Sequence, residues 1–178
     1  MTITTLVTLR ATAMLTLLIA APAPSARDTL YPQLAGSWKG TLEYQDDKPP
    51  HGRVRQPAAV AAEVSGDRSS VLLHYTYDDI LGRTAEDTER FTLDATGDGV
   101  TWGGLKDAMP RRYVVKALIA TGGVTTLTME GEATDEDRPT SLRETLTVGA
   151  DSLQILRETR PKGGTFAFRY LYTLKRQP

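Results

Sequence analysis

The chain contains no cysteine and only two histidines in 178 residues. Without cysteine there is no disulfide, thiolate metal site, iron–sulfur cluster or cysteine nucleophile. His51 and His74 alone fall short of a multi-histidine metal centre. An excess of one charge is missing too: 21 Lys and Arg face 22 Asp and Glu, for a net charge of -1. That excludes a basic field for nucleic acid and a polybasic membrane patch. The marked apolar run, residues 11–20, is about half the roughly 20 residues a membrane-spanning helix needs.

What is present begins with a leader pattern. Residues 1–10 carry one charge, Arg10. The apolar run follows, then Ala21-Pro-Ala-Pro-Ser-Ala26. Charged, apolar and small-residue regions in that order read as a secretory signal. Cleavage is expected after Ser25, with Ala23 at the −3 site, or after Ala26; a cut after Ala23 would leave Pro24 in the first mature position. An uncleaved N-terminal helix is the alternative. The expected organisation is therefore a signal peptide over residues 1–26 and one domain over 27–178, exported to the periplasm or beyond. A mature chain of this size buries roughly 70% of its unfolded surface, enough for a core without disulfides.

The rest alternates with period 2 rather than 3.6. Trp38, Gly40, Leu42 and Tyr44 share one parity, as do Val71, Leu73, Tyr75 and Tyr77. Phe91 and Leu93, Val100 and Trp102, Tyr113–Ile119, Val124–Glu130, and Phe166–Lys175 read as further strands. Residues 54–64 form a weaker, Ala-rich strand whose Pro57 suggests an edge or bulge. Turn signals recur at Ser65-Gly-Asp67, Gly97-Asp-Gly99, Thr121-Gly-Gly123, Gly149-Ala-Asp151 and Lys162-Gly-Gly164. Short loops join antiparallel neighbours. The expected fold is all-β: an antiparallel up-and-down β-barrel of about ten strands, with a two-sheet sandwich as the competitor. Asp28–Gln33 reads as a short turn or 3₁₀ piece.

Leu34-Ala-Gly36-Ser-Trp38-Lys-Gly40 resembles the Gly-x-Trp opening of the lipocalin and fatty-acid-binding superfamily, the calycins. The resemblance implies a Trp38 that plugs one barrel end beneath a cation from the last strand. Arg169 fits that place best, with Lys175 and Arg176 as alternatives. The Thr-Asp-Tyr motif of typical lipocalins, the helical lid of fatty-acid-binding proteins and the terminal lipocalin helix are all missing. The resemblance is thus to a lipocalin-like barrel in the broad sense. The ten-stranded haem-binding nitrobindins are a related resemblance. They need a His near the C-terminal strands, and this chain has none after His74; no cofactor is expected.

The sharpest inference from the residues concerns one hairpin. Leu142-Arg-Glu-Thr145 recurs as Leu156-Arg-Glu-Thr159. A turn over Gly149–Ser152 sets Val148 against Leu153, Leu146 against Ile155, Glu144 against Arg157 and Arg143 against Glu158. That register matches apolar with apolar and opposite charges twice. If the face of Leu146 and Ile155 points inward, the Glu144–Arg157 pair lies inside the barrel as a polar floor or ligand handle. If the strand ends twist outward, both pairs are solvated. Tyr44, Tyr75, Tyr77, Trp102, Tyr113 and Phe168 are candidates to line a cavity or simply to fill a core.

Other patterns point to no chemistry. Asp94-x-Thr96-Gly-Asp98-Gly99 imitates a calcium loop, but Leu105 stands where a bidentate Glu is needed. Asp78-Asp79 beside Glu86-Asp87, and Asp135-Glu-Asp137, read as solvated loops, with a hard cation held at an end of the barrel as the alternative. No Ser, His and Asp set suggests a nucleophile with its base, and no metal site or catalytic residue is assigned. The function expected is a non-catalytic barrel that binds a small, largely apolar ligand. Neither nucleic acid nor a membrane-spanning role is expected. Two alternatives stand beside it: an envelope-accessory or protein-interaction module with a side-chain-filled barrel, and a small enzyme using a carboxylate in the barrel. A cavity of roughly 300 Å³ or more separates binding from filling.

Overall fold

The computed structural model describes residues 25–46, 52–78, 82–107, 109–135 and 138–178. One helix, α1 (Ala26–Leu34), precedes ten strands. They are β1 (Gly36–Asp46), β2 (Gly52–Val64), β3 (Val71–Asp78), β4 (Thr84–Leu93), β5 (Gly99–Gly104), β6 (Arg111–Thr121), β7 (Val124–Asp135), β8 (Arg138–Val148), β9 (Ser152–Pro161) and β10 (Ala167–Arg176). Each strand pairs antiparallel with the next, and β1 pairs with β10. The sheet is therefore a closed up-and-down barrel, consistent with the calycin resemblance. Closure removes the free edges that invite aggregation. Among the described residues, no helix is long and apolar enough to cross a membrane.

Pro57 shows how the pattern tolerates a strand proline. β2 pairs with β1 through Pro57 and Thr41, whereas its ladder with β3 starts only at Ala58. Pro57 thus lies outside one ladder, where its missing N–H costs no bond. The Gly149–Ser152 turn gives the register expected from the residues, including Glu144 opposite Arg157 and Arg143 opposite Glu158.

The first correction concerns Asp28–Gln33. It belongs to a nine-residue α-helix, not a 3₁₀ turn. Ser25 caps it: the Ser25 hydroxyl accepts from Asp28 N at 3.2 Å, and the Asp28 carboxylate accepts from Ser25 N at 3.3 Å. Such a capping box satisfies otherwise orphaned helix N–H groups. Leu30, Tyr31 and Leu34 are buried and close one end of the barrel. The Tyr31 hydroxyl accepts from Leu93 N at 2.8 Å and donates to Ser69 O at 3.2 Å, and Arg27 Nε donates to Leu93 O at 2.6 Å.

Trp38 lies beneath this helix, fully buried, and its indole N–H donates to Leu34 O at 2.8 Å. The second correction concerns its cation. Arg176, not Arg169, stacks over the Trp38 ring, 4.1 Å from its centroid. Arg176 also donates to Ala35 O and Gln33 O, both at 2.6 Å, and to Ala150 O at 2.7 Å. Trp38 is opposite Arg176 in the β1–β10 ladder, which sets the stack by register alone. Gly36 belongs to the same arrangement. Its φ is +120°, and a Cβ there would meet Arg176 Nη1 at 2.8 Å. Glycine two residues before the tryptophan is therefore the residue that leaves room for the guanidinium.

Candidate functional site

The barrel interior divides in two. Near α1 it is filled by Trp38, Val71, Phe91, Leu93, Val148, Leu153 and Leu174, all buried. Trp102 belongs to this filling: it packs edge-on against Phe91 at 5.4 Å. Towards the opposite end the inward positions become polar. Tyr75 and Tyr172 lie 5.3 Å apart and Tyr170 packs edge-on against Tyr172 at 5.6 Å. Tyr44 pairs with Tyr170, and Tyr77 is half-buried along β3 from Tyr75.

Glu144 stands among these groups with no exposed surface. Arg157 Nε donates to Glu144 Oε1, and the Tyr113 hydroxyl donates to the same oxygen at 3.3 Å. Glu144 Oε2 has no hydrogen-bond partner among the described residues. The Arg157 guanidinium carbon lies 4.7 Å from the centroid of the Tyr170 ring, a cation–π contact. Of the sequence candidates, Tyr113, Glu144 and Arg157 therefore meet directly.

Electrostatics follow from burial. Desolvation pushes the Glu144 carboxyl up to about 7, although Arg157 and the Tyr113 hydroxyl work against it. Glu89 on β4 is pushed up by burial as well, and Arg157 opposes the shift. The Trp102 indole N–H also helps hold Glu89 ionised, yet it is placed too loosely to make a hydrogen bond. Burial works against the charge on Arg157, but the surrounding Tyr170 and Glu144 oxygens outweigh it, and its pKa rises. Burial raises the phenol pKa of Tyr75, Tyr113, Tyr170 and Tyr172 as well.

Beside the pair lies a chamber of about 230 Å³, walled by residues of β6 to β10. Arg111, Arg157 and Arg169 line it, with Thr134, Thr159 and Tyr170. Leu142 and Ala133 supply apolar wall. Its volume is below the roughly 300 Å³ typical of drug-sized sites, so only a small molecule or a head group fits. Two further hollows carry less chemistry. One of about 240 Å³ runs along the outside of α1 and is mostly apolar. Another of about 370 Å³ lies among the exposed Glu86, Asp87 and Asp107. Neither touches a fully buried charge.

Phe168 is a correction. It pairs with Glu158 and its ring lies under the exposed Arg53 at 4.0 Å, which puts it on the outer face. A bulge between Phe168 and Tyr170 reverses the parity there and carries Arg169 to the chamber wall. Glu89 and Arg111 were missed by sequence reasoning, although the signal existed. Glu89 shares parity with Phe91 and Leu93, and Arg111 shares it with Tyr113. His51 lies outside the described residues; His74 Nδ1 is 3.1 Å from the Thr88 hydroxyl. Asp94 accepts from Thr96 Oγ1 and Asp98 N, both at 3.0 Å, closing the β4–β5 turn.

No family model matches the chain. No curated protein matches it either. Among solved structures, the crystal structure of Rv2717c from M. tuberculosis is similar, with a TM-score of 0.63 over 88% of this chain and 99% of that one. The two sequences are 17% identical, so the likeness shows the fold alone.

Proposed function

We propose that this chain is an exported, lipocalin-like binding barrel that takes a small amphipathic molecule in the chamber away from α1. The leader pattern of residues 1–26 supports export. One observation carries the binding reading: Arg157 belongs both to the buried charge pair and to the chamber wall. Burying an ion pair costs more than an apolar filling of the same volume. A barrel needed only as a scaffold gains hairpin register from it, which the apolar pairs Val148–Leu153 and Leu146–Ile155 already supply. The polar wall shifts the expected ligand from largely apolar to amphipathic, with its polar end against the arginines.

Two specific observations favour other readings. The half near α1 is packed with side chains, and the chamber is small, as a protein-interaction barrel would have it. Glu144 titrates where an acid–base catalyst would. Its carboxylate, however, is held by Arg157 and Tyr113 and does not line the chamber, which favours binding over catalysis. The test is native mass spectrometry of protein purified from its own host. A co-purifying small molecule, lost when Arg157 is replaced by methionine in a folded variant, is expected. A bare chain, together with no thermal stabilisation by any of a panel of small amphiphiles, rejects the reading.

A further inference from the structure

Arg157 has two sides. Its Nε is engaged by Glu144 in the interior, while the side chain forms chamber wall on the other. Glu144 is completely buried and only half satisfied, because Oε2 has no hydrogen-bond partner among the described residues. Arg111 is on the same wall and makes no hydrogen bond or ion pair among the described residues. Arg111 feels the charge of Glu89 but makes no close pair with it, so two guanidiniums line one chamber whose described residues supply no anion, and a negative group there would complement both.

Resting on the binding-barrel reading, we propose that the chamber selects a small anion, a carboxylate or phosphate head group held by Arg111 and Arg157, and that Glu144 takes up a proton when it binds. The anion draws the Arg157 charge towards the chamber, and the buried carboxylate behind it loses its compensation. An uncompensated buried carboxylate neutralises rather than stay charged. The balance is one anion onto the arginines and one solvent proton onto Glu144, with both guanidiniums still protonated.

The groups facing Glu144 favour the same direction. β9 presents Arg157 and β6 presents Tyr113. β4 presents Glu89, whose charge raises the proton affinity of Glu144 further. The phenols of Tyr75 on β3 and Tyr170 on β10 stay neutral near pH 7, and β7 places the uncharged Met129 opposite Glu144. Arg157 is thus the dominant cation, and whatever competes for it shifts the proton.

The test is isothermal titration of the intact purified protein with hexanoate, 1-hexanol and inorganic phosphate, in two buffers of different ionisation enthalpy. Hexanoate, which stays ionised over this range, should bind with uptake of about 0.5 proton at pH 7, and about tenfold more tightly at pH 6 than at pH 8; phosphate, which titrates in the same range itself, is read against Glu144→Gln. Whichever of the two binds identifies the head group. Arg111→Met should lose the anion and leave 1-hexanol unchanged. Glu144→Gln should bind hexanoate with no proton uptake, and phosphate with about 0.5 proton less than the wild type; if that variant does not fold, the two-buffer measurement of hexanoate on the wild type still decides. Hexanol binding as tightly as hexanoate, with phosphate silent, overturns anion selection and leaves the binding barrel standing. Hexanoate binding without proton uptake, or phosphate binding with equal uptake by the wild type and Glu144→Gln, overturns the coupling, and the absence of binding by all three probes overturns the proposal outright.

Discussion

Glu144 of β8 and Arg157 of β9 face each other across one hairpin inside the barrel, joined through Oε1 and Nε. With a side chain 0% exposed on one partner and 15% on the other, this pair is shielded from solvent. The outer-face neighbour pair, Arg143 and Glu158, is 34% and 25% exposed at 3.7 Å and is screened accordingly.

Arg157→Met should cost roughly 3–5 kcal/mol, because it strands a buried carboxylate. Glu144→Gln should cost less, and combining the two should recover much of the Arg157 loss. Urea denaturation of the four proteins in a double-mutant cycle measures this. A coupling indistinguishable from zero would mean the pair contributes no specific interaction.

Stability should fall as pH rises from about 5 to about 7. The folded-state pKa of Glu144 is raised to about 7 from an ordinary value of 4.5, so the native state holds a proton that the unfolded chain has released. The stabilisation is present below the unfolded value and lost through the folded one, amounting to roughly 1–3 kcal/mol. Denaturation midpoints at several pH values, with Glu144→Gln as control, check it. An equal slope in that variant would assign the effect elsewhere.

The α1 end should be the most sensitive to truncation. Trp38→Ala should destabilise by about 3–5 kcal/mol. Arg176→Met, which removes three hydrogen bonds to carbonyls, should cost roughly 1–3 kcal/mol. Arg169→Met should leave this end unchanged, because Arg169 lies at the chamber. If Arg169→Met quenched or shifted Trp38 fluorescence while Arg176→Met did not, the assignment would be reversed.

Ser25 should matter for stability if it remains on the mature chain. The expected leader cut after Ser25 or Ala26 removes the cap of α1, while Leu30, Tyr31 and Leu34 still hold the helix. Chains beginning at Ser25 and at Arg27 should therefore differ by about 1 kcal/mol in unfolding free energy. Matching melts for the two would show the cap to be dispensable.

The hairpin was legible because two constraints coincided: a four-residue turn and an apolar parity that one register alone satisfies. The Phe168 side was not, since a single-residue bulge reverses every later side chain and leaves no trace in an alternating pattern. Arg176 was one of three cations near the end of the last strand; choosing it required the β1–β10 register. Glu89 and Arg111 carried an outright signal, a charge on an apolar parity. The chamber itself could not be read, because its wall comes from five neighbouring strands whose inward side chains converge only when the sheet curves.

The seam between β1 and β10 has a temporal consequence. β1 is among the first strands synthesised and β10 is the last, yet they must zip together for Trp38 to be covered by Arg176. Most ladders here are local hairpins that form as the chain emerges, but this one spans the whole domain. Such distant pairing slows folding. Until Arg176 is delivered, the nascent chain is an open ribbon with a sticky edge and an uncovered indole. A chaperone acting on this protein has that interval in which to engage it, and a chain truncated before residue 176 never leaves it.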